Sequence, residues 1–200
     1  MAIVCGAILE TTMSWIATPA PTQYPWYLRA LFAMRDAIGR PVAEPVRQWA
    51  RTPRVLRAFL GLYRAIDRAA SPIEPALRAL IMVRVSQINV CPFCVDLNAA
   101  RALERNVTED RLWALDRFET SDLFSEHEKA ALAFTEAVTI TGRTIDAALK
   151  ARLASAFSAD AIVELAALIA FQNMSSKFNA ALEIPAAGTC RVPIADGKAP

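Results

Sequence analysis

Residues 74–89, EPALRALIMVRVSQIN, constrain the fold more than any other stretch. The run reads as a helix whose apolar side chains crowd nearly all round, so no face of it can be left to water. Such a helix has to be central, with the rest of the chain wrapped about it. The rest supplies suitable material, because almost every other segment also reads as helix. No Val/Ile/Thr-rich alternating run of strand type occurs.

The breaks between helices are written in proline, glycine and capping residues. Residues 19–25 (PAPTQYP) predict an extended entry. A helix over 26–38 offers Trp26, Leu28, Leu31, Phe32 and Ile38 for burial, and Gly39-Arg40-Pro41 stops it. A short helix follows at 43–50. Thr52-Pro53 gives an N-cap and a first-turn proline for a helix to about Arg68, with Leu56, Phe59, Leu60, Tyr63 and Ile66 at helical spacing. Ser71-Pro72 and Pro75 mark the start of the central helix. Beyond it, a helix ends near Arg105-Asn106, and Thr108 caps a short one through Leu115. Ser125 with Glu128 forms a capping box for 126–140. Gly142 is a break, Thr144 a cap for a helix to about Ala156, and Ser158 the cap for 159–182, with Ile162, Leu165, Ala166, Ile169 and Ala170 as its buried stripe. The prediction is an all-α bundle of about seven to nine helices. It has an N-terminal tail over 1–25, one helical domain over 26–184 and a C-terminal tail over 185–200.

Chemistry concentrates where the central helix ends, at Cys91-Pro92-Phe93-Cys94. Pro92 suits the first turn of a following helix. That places two thiols at a helix N-terminus, where unsatisfied N–H groups and the dipole favour a thiolate. A C-x-x-C thiol in such a setting titrates well below the ordinary thiol. The spacing also lets one sulfur resolve what forms on the other. Zinc would need a second pair of ligands, whereas the remaining cysteines, Cys5 and Cys190, stand singly near the two ends and His127 is the one histidine. The plain alternative is two buried structural cysteines.

With 54% apolar residues, 21% charged residues and a net charge of +2, the chain is a folded and rather hydrophobic one. Nucleic acid is not expected as a partner, although nine arginines against three acids over 28–68 give one basic segment. The apolar surplus on nearly every helix points to surface buried between subunits. The start, MAIVCGAILETTMSW, lacks a positive n-region and is interrupted by Glu10, so neither a signal peptide nor a membrane span is expected. Met13 offers an alternative start. The expectation is a cytoplasmic protein, in which a C-x-x-C serves catalysis or redox chemistry more readily than it staples a fold.

The stretch RVSQINVCPFCVDLN resembles the core signature of the carboxymuconolactone decarboxylase superfamily, in its alkylhydroperoxidase D-like branch. The resemblance extends through LRALIMVRVSQIN, FSEHEKAALAFTEAVT and DAIVELAALIAFQNMSSKFNAAL, and so covers about residues 50–183. It implies a helical fold assembling into trimers, hexamers or similar rings, without cofactor or metal. It also implies a C-x-x-C site that reduces hydroperoxides and is re-reduced by a thiol or dithiol. On that analogy Cys94 attacks, and Cys91 condenses with the sulfenic acid to give a disulfide.

Two positions depart from the branch. A glutamate twelve residues before the first cysteine is here Ala79, and a histidine four residues after the second is here Asn98. That pair would relay protons to and from the reacting atoms. Asn98, one helical turn beyond Cys94, is expected to hydrogen-bond a thiolate or oxyanion. Asp96 and Glu164 are the candidates for proton relay or polar support, with Glu74, Gln172 and Asn173 behind them. The same departures keep two alternatives open: an oligomeric redox sensor or structural protein without turnover, and a decarboxylase-type enzyme acting on a lactone carboxylate, which has no use for the thiol pair.

Overall fold

The structure is a computed structural model that describes residues 14–188 of the 200. Among them are nine α-helices: α1 (Trp26–Ala37), α2 (Glu44–Trp49), α3 (Pro53–Ile66), α4 (Pro75–Ile88), α5 (Pro92–Glu104), α6 (Glu109–Trp113), α7 (Glu126–Thr139), α8 (Ala147–Ala156) and α9 (Ala159–Ala181). Short 3-10 turns at Pro21–Gln23 and Leu115–Thr120 complete the order, and no strand occurs among the described residues. The turn at 21–23 interrupts the entry expected to be extended. No single helix among the described residues is long and apolar enough to cross a membrane. Cys5, Cys190, the alternative start at Met13 and most of the C-terminal tail lie outside the described residues.

Helix α4 is the axis. Every residue from Leu77 to Gln87 is buried, and α5, α7 and α9 pack around it. The main core joins Leu80, Ile81, Val83 and Val85 of α4 to Leu132 of α7 and to Leu165, Leu168 and Ile169 of α9. Two arginines inside this helix are matched by carboxylates. Arg78 Nε donates to Asp67 Oδ1 at 2.9 Å, and Arg105 Nη2 and the Tyr63 hydroxyl donate to Oδ2 at 2.6 and 2.8 Å. Arg84 Nε donates to Glu136 Oε1 at 2.9 Å, and Arg143 bonds the other oxygen. A buried charge held this way keeps its partners in fixed register.

Prolines 53, 75 and 92 all stand at helix starts. The capping box closes in both directions, with Glu128 N–H on Ser125 Oγ at 3.3 Å and Ser125 N–H on Glu128 Oε2 at 3.0 Å. Ser158 caps α9 through Ala161 N–H at 3.2 Å. Thr144 does not cap α8. The turn at Gly142 (φ +87°) delivers an extended segment, and Asp146 Oδ1 accepts from Leu149 N–H at 2.8 Å. A carboxylate there also meets the positive end of the helix. Thr52 and Thr108 make no side-chain capping bond.

A second, smaller core lies over one end of the bundle. Tyr24, Leu28, Phe32, Ala50 and Leu56 close it, so α1, α2 and the start of α3 form a roof. Trp26 and Leu31 of α1 and its C-cap Ile38, offered for burial by the sequence, are exposed instead, and Ala170 of α9 is also exposed. The described part of the N-terminal segment ties to its surroundings. Ser14 Oγ donates to Leu182 O at 2.8 Å, Trp15 Nε1 to Ala181 O at 2.9 Å, and Gln48 Nε2 to Ile16 O at 2.9 Å.

Candidate active site

The two cysteines occupy the joint between α4 and α5. Helix α4 ends in a Schellman motif: Val90 N–H bonds Gln87 O at 3.0 Å and Cys91 N–H bonds Ser86 O at 3.1 Å. Val90 takes the left-handed position of that motif at φ +49°, where a β-branched residue is strained. Cys91 is therefore both the last link of one helix and the N-cap of the next, and its Sγ accepts from Cys94 N–H at 3.3 Å. Helix α9 ends in the same motif, with Glu183 at φ +51° and Ile184 N–H bonded to Asn179 O at 3.0 Å. Ile184 then packs on Cys91, Phe93 and Cys94.

Between this joint and the roof lies a cavity of about 220 Å³. Cys94 lines it, and Cys91 does not. The walls are Trp49 of α2, Phe59 and Tyr63 of α3, Phe93 and Leu97 of α5 and Phe171 of α9, while Asn98, Gln172, Ser175 and Asn179 add polar surface. The aromatic rings form a continuous stack. Centroids are 3.8 Å apart for Phe178 and Trp49, 5.0 Å for Trp49 and Phe59, 5.0 Å for Phe59 and Phe171, and 5.7 Å for Phe171 and Tyr63. Arg101 places its guanidinium 5.3 Å from the Tyr63 ring centre at the end of the stack.

Around the sulfurs runs a buried network of neutral groups. Asn179 Nδ2 donates to Cys94 Sγ at 3.1 Å. Gln172 Nε2 donates to Ser176 Oγ at 2.9 Å and to Ser86 Oγ at 3.0 Å, and Asn98 Nδ2 donates to the same Ser86 oxygen at 3.1 Å. The Ser86 hydroxyl in turn donates to Met82 O at 2.6 Å. The hydrogen bond from the Cys91 thiol holds the Cys94 pKa below the ordinary thiol value; burial opposes it, and Asn179, Ser176 and Gln172 assist. Cys91 moves the other way, raised by its bond to Cys94 and then by burial. Of the two, Cys94 is the thiol that gives up its proton more readily. The helix N-terminus contributes differently from the sequence expectation: its N–H serves Cys91, while side chains from α9 serve Cys94.

The remaining candidates fall in several places. Asn98 lines the cavity but bonds Ser86, not Cys94. Ala79 is buried in the main core. Glu164 stands elsewhere, with its carboxylate bonded to Arg68 and, at 2.9 Å, to Ser71 Oγ. Arg68 holds that carboxyl below its usual range, and Glu164 does not line the cavity. Its polarity within an apolar helix answers that ion pair. Asp96 is buried on α5 and is not a lining residue either. Of the reserve candidates Gln172 belongs to the site, whereas Asn173 ties α9 to Asn89 and Thr139, and Glu74 is the N-cap residue of α4. Asn179 and Ser176 escaped the sequence reading. Both lie one or two turns beyond Gln172 on the same face, at i+4 and i+7, which is the one signal that pointed to them. No group of three His, Cys, Asp or Glu residues suited to a metal occurs among the described residues.

The Carboxymuconolactone decarboxylase family matches residues 53–137. The uncharacterized protein YnjA of Escherichia coli (strain K12) is 41% identical over 152 residues, spanning 76% of this chain and 84% of that protein. Among solved structures, a cysteine-to-alanine variant of the debrominase Bmp8 in complex with 2,3,4-tribromopyrrole superposes with a TM-score of 0.73 at 26% identity, covering 88% of this chain and 95% of the other. An uncharacterized peroxidase-related protein from Silicibacter sp. TM1040 gives a TM-score of 0.75 at 20% identity over 90% of this chain and 94% of that one, a likeness of fold.

Proposed function

Because the chain belongs to the carboxymuconolactone decarboxylase family, we propose that it is a thiol-dependent oxidoreductase of the alkylhydroperoxidase D-like kind, in which Cys94 attacks and Cys91 resolves. One observation carries the reading: the sulfur whose pKa is lowered is the one that lines the cavity, and its hydrogen-bonding neighbour is the one that does not. With an organic hydroperoxide, the Cys94 thiolate takes the terminal oxygen and an alkoxide leaves, to be protonated to the alcohol. Cys91 then condenses with the sulfenic acid, its proton leaving with the hydroxyl as water, to form the 91–94 disulfide. An external dithiol returns two electrons and two protons by exchange. Asn179, Ser176 and Gln172 stabilise charge on sulfur without titrating, so the alkoxide draws its proton from solvent.

The aromatic cavity favours a second electrophile for the same sulfur pair. In reductive dehalogenation Cys94 takes the halogen from an aromatic carbon, the carbon takes a proton, and Cys91 displaces halide to give the same disulfide. The structural likeness to a debrominase supports this reading. We also propose that the protein forms a homo-oligomer, because Trp26 is 79% exposed, Met34 55% and the C-cap residue Ile38 59%, along α1.

The deciding experiment gives reduced protein tert-butyl hydroperoxide or 2,3,4-tribromopyrrole, with dithiothreitol as reductant, and follows peroxide loss or bromide release. Thiols are mapped by mass spectrometry with Cys91→Ser and Cys94→Ser as controls. Turnover lost in Cys94→Ser, with sulfenic acid trapped on Cys94 in Cys91→Ser, is the expected result for the peroxidase. Random oxidation of the cysteines and no turnover of either compound would remove the enzyme reading and favour a sensor or scaffold.

A further inference from the structure

We infer that the cavity over Cys94 takes a single-ring aromatic acid in its anionic form, with Arg101 holding the carboxylate and the ring lying between that arginine and the sulfur. The inference deepens the proposed function and rests on its reading that substrates reach Cys94 through this cavity. It starts from an unmatched charge. Of the described residues that line the cavity, Arg101 alone is basic, and no Asp or Glu stands with it. Its guanidinium lies over the Tyr63 ring at 5.3 Å, and it forms no ion pair and no side-chain hydrogen bond among the described residues. Asp67, the carboxylate bonded to Tyr63, already serves Arg78 and Arg105. The guanidinium therefore keeps its N–H fork for an acceptor that enters the cavity. A carboxylate is the group that matches such a fork.

Helix α5 sets the spacing. Cys94, Leu97, Asn98 and Arg101 line the cavity at i, i+3, i+4 and i+7, so sulfur and cation stand on one helix face, two turns apart. Their axial separation is about 10 Å, the reach of one ring with a substituent at each end. Helical side chains lean toward the N-terminus, which brings the guanidinium back toward the sulfur. Cys94 is buried and Arg101 half-buried, so a ligand's charge rests at the wetter end and its reactive group at the dry one. Phe59 and Phe171 stack at an interplanar angle of 29°, and Tyr63 continues from Phe171 at 27°, so the walls offer ring faces. The volume of about 220 Å³ admits one ring with small substituents, since an apolar cavity of about 150 Å³ already takes benzene. The anion is thus a handle held away from the sulfur and takes no part in the bond change there.

The test is calorimetric titration of reduced full-length protein with three probes. These are 4-chlorobenzoate, 4-chlorobenzamide, which keeps the ring and shape without the charge, and 4-chlorocyclohexanecarboxylate, which keeps the charge without the flat ring. The benzoate is expected to bind about tenfold more tightly than either. Arg101→Met should bring the benzoate down to the benzamide, benzamide binding being retained, and Arg101→Lys should restore part of the preference. Slower alkylation of Cys94 by iodoacetamide when the benzoate is present locates the ligand in this cavity, with no variant needed. Equal affinities of benzoate and benzamide in the wild type, a preference that survives in Arg101→Met, or benzoate binding that leaves Cys94 alkylation unchanged would each overturn the inference. Charge-selective binding without turnover of peroxide or aryl halide would instead retire the proposed reaction and leave this site standing.

Discussion

The side-chain amide of Asn179 reaches Cys94 Sγ at 3.1 Å across 85 residues of sequence, joining the last turns of α9 to the first turn of α5. Ala79 and Asn98 occupy the positions where the resemblance led to a glutamate and a histidine, and a neutral amide stands at the sulfur. A neutral donor stabilises a thiolate at every pH at which the thiolate exists, and it gives up no proton in doing so. In the proposed reaction these groups therefore favour charge on Cys94 without moving a proton.

The Cys91 thiol is the largest influence holding down the Cys94 pKa. Cys91→Ala should therefore raise it, moving the midpoint of the pH profile of Cys94 alkylation upward, toward the ordinary thiol value. Cys91→Ser, whose hydroxyl can still donate, should move it less. Alkylation by iodoacetamide followed site by site checks both, and an unmoved midpoint in Cys91→Ala would mean the charge is held by α9 alone.

Asp67 gathers Arg78, Arg105 and Tyr63, with 5% of its side chain exposed. Burial pushes its pKa up, but the hydrogen bonds from Arg105, Tyr63 and Arg78 outweigh it and hold the carboxyl below its usual value. A folded pKa below the unfolded one, about 3.9, contributes stability in full above that value and loses it as pH falls through the folded pKa. Asp67→Asn leaves Arg78 buried without its countercharge and should cost about 3 kcal/mol at neutral pH. Denaturant unfolding at pH 7 and pH 3 should show a gap between wild type and variant that narrows in acid.

Val90 holds a left-handed backbone and is 51% exposed. Val90→Gly removes a steric penalty of about 1–2 kcal/mol and gives back part of it as chain entropy, so the expected gain is about 1 kcal/mol. A thermal unfolding scan reads it as a higher Tm. A lower Tm would mean that Val90 is covered by a neighbouring subunit.

For the oligomer, light scattering at micromolar concentration should give a multiple of the 21.8 kDa chain mass. Trp26→Glu combined with Met34→Glu should reduce that mass without unfolding the protein. A clean monomer in the wild type would leave the exposed face of α1 without a role in assembly.

Much of this was legible in the sequence. Prolines 53, 75 and 92 marked three helix starts because a proline fits where no N–H bond is required. The polar-poor run at 74–89 identified the axis, and the C-x-x-C located the chemistry. What stayed hidden were the partners of the sulfur. Helix α9 buries Leu165, Leu168, Ile169, Phe171, Gln172, Ser176 and Asn179, a set spread round much of its circumference. Periodicity in such a helix does not say which polar residue faces the cysteines. Glu164 drew attention for the same reason, although its carboxylate answers Arg68, just past the end of α3. Exposure on α1 was equally unreadable, since apolar residues at helical spacing look alike whether they meet a core or a face left uncovered in one chain.

The stacked rings give this protein its own optical reporter. Trp49 sits half-buried between Phe59 and Phe178 in the cavity wall, while Trp15, Trp26 and Trp113 are 65%, 79% and 39% exposed. Iodide quenches exposed indoles by collision and spares a sheltered one. The emission that survives iodide therefore comes chiefly from Trp49, and its intensity and wavelength follow what enters the chamber over Cys94, in real time and without a label.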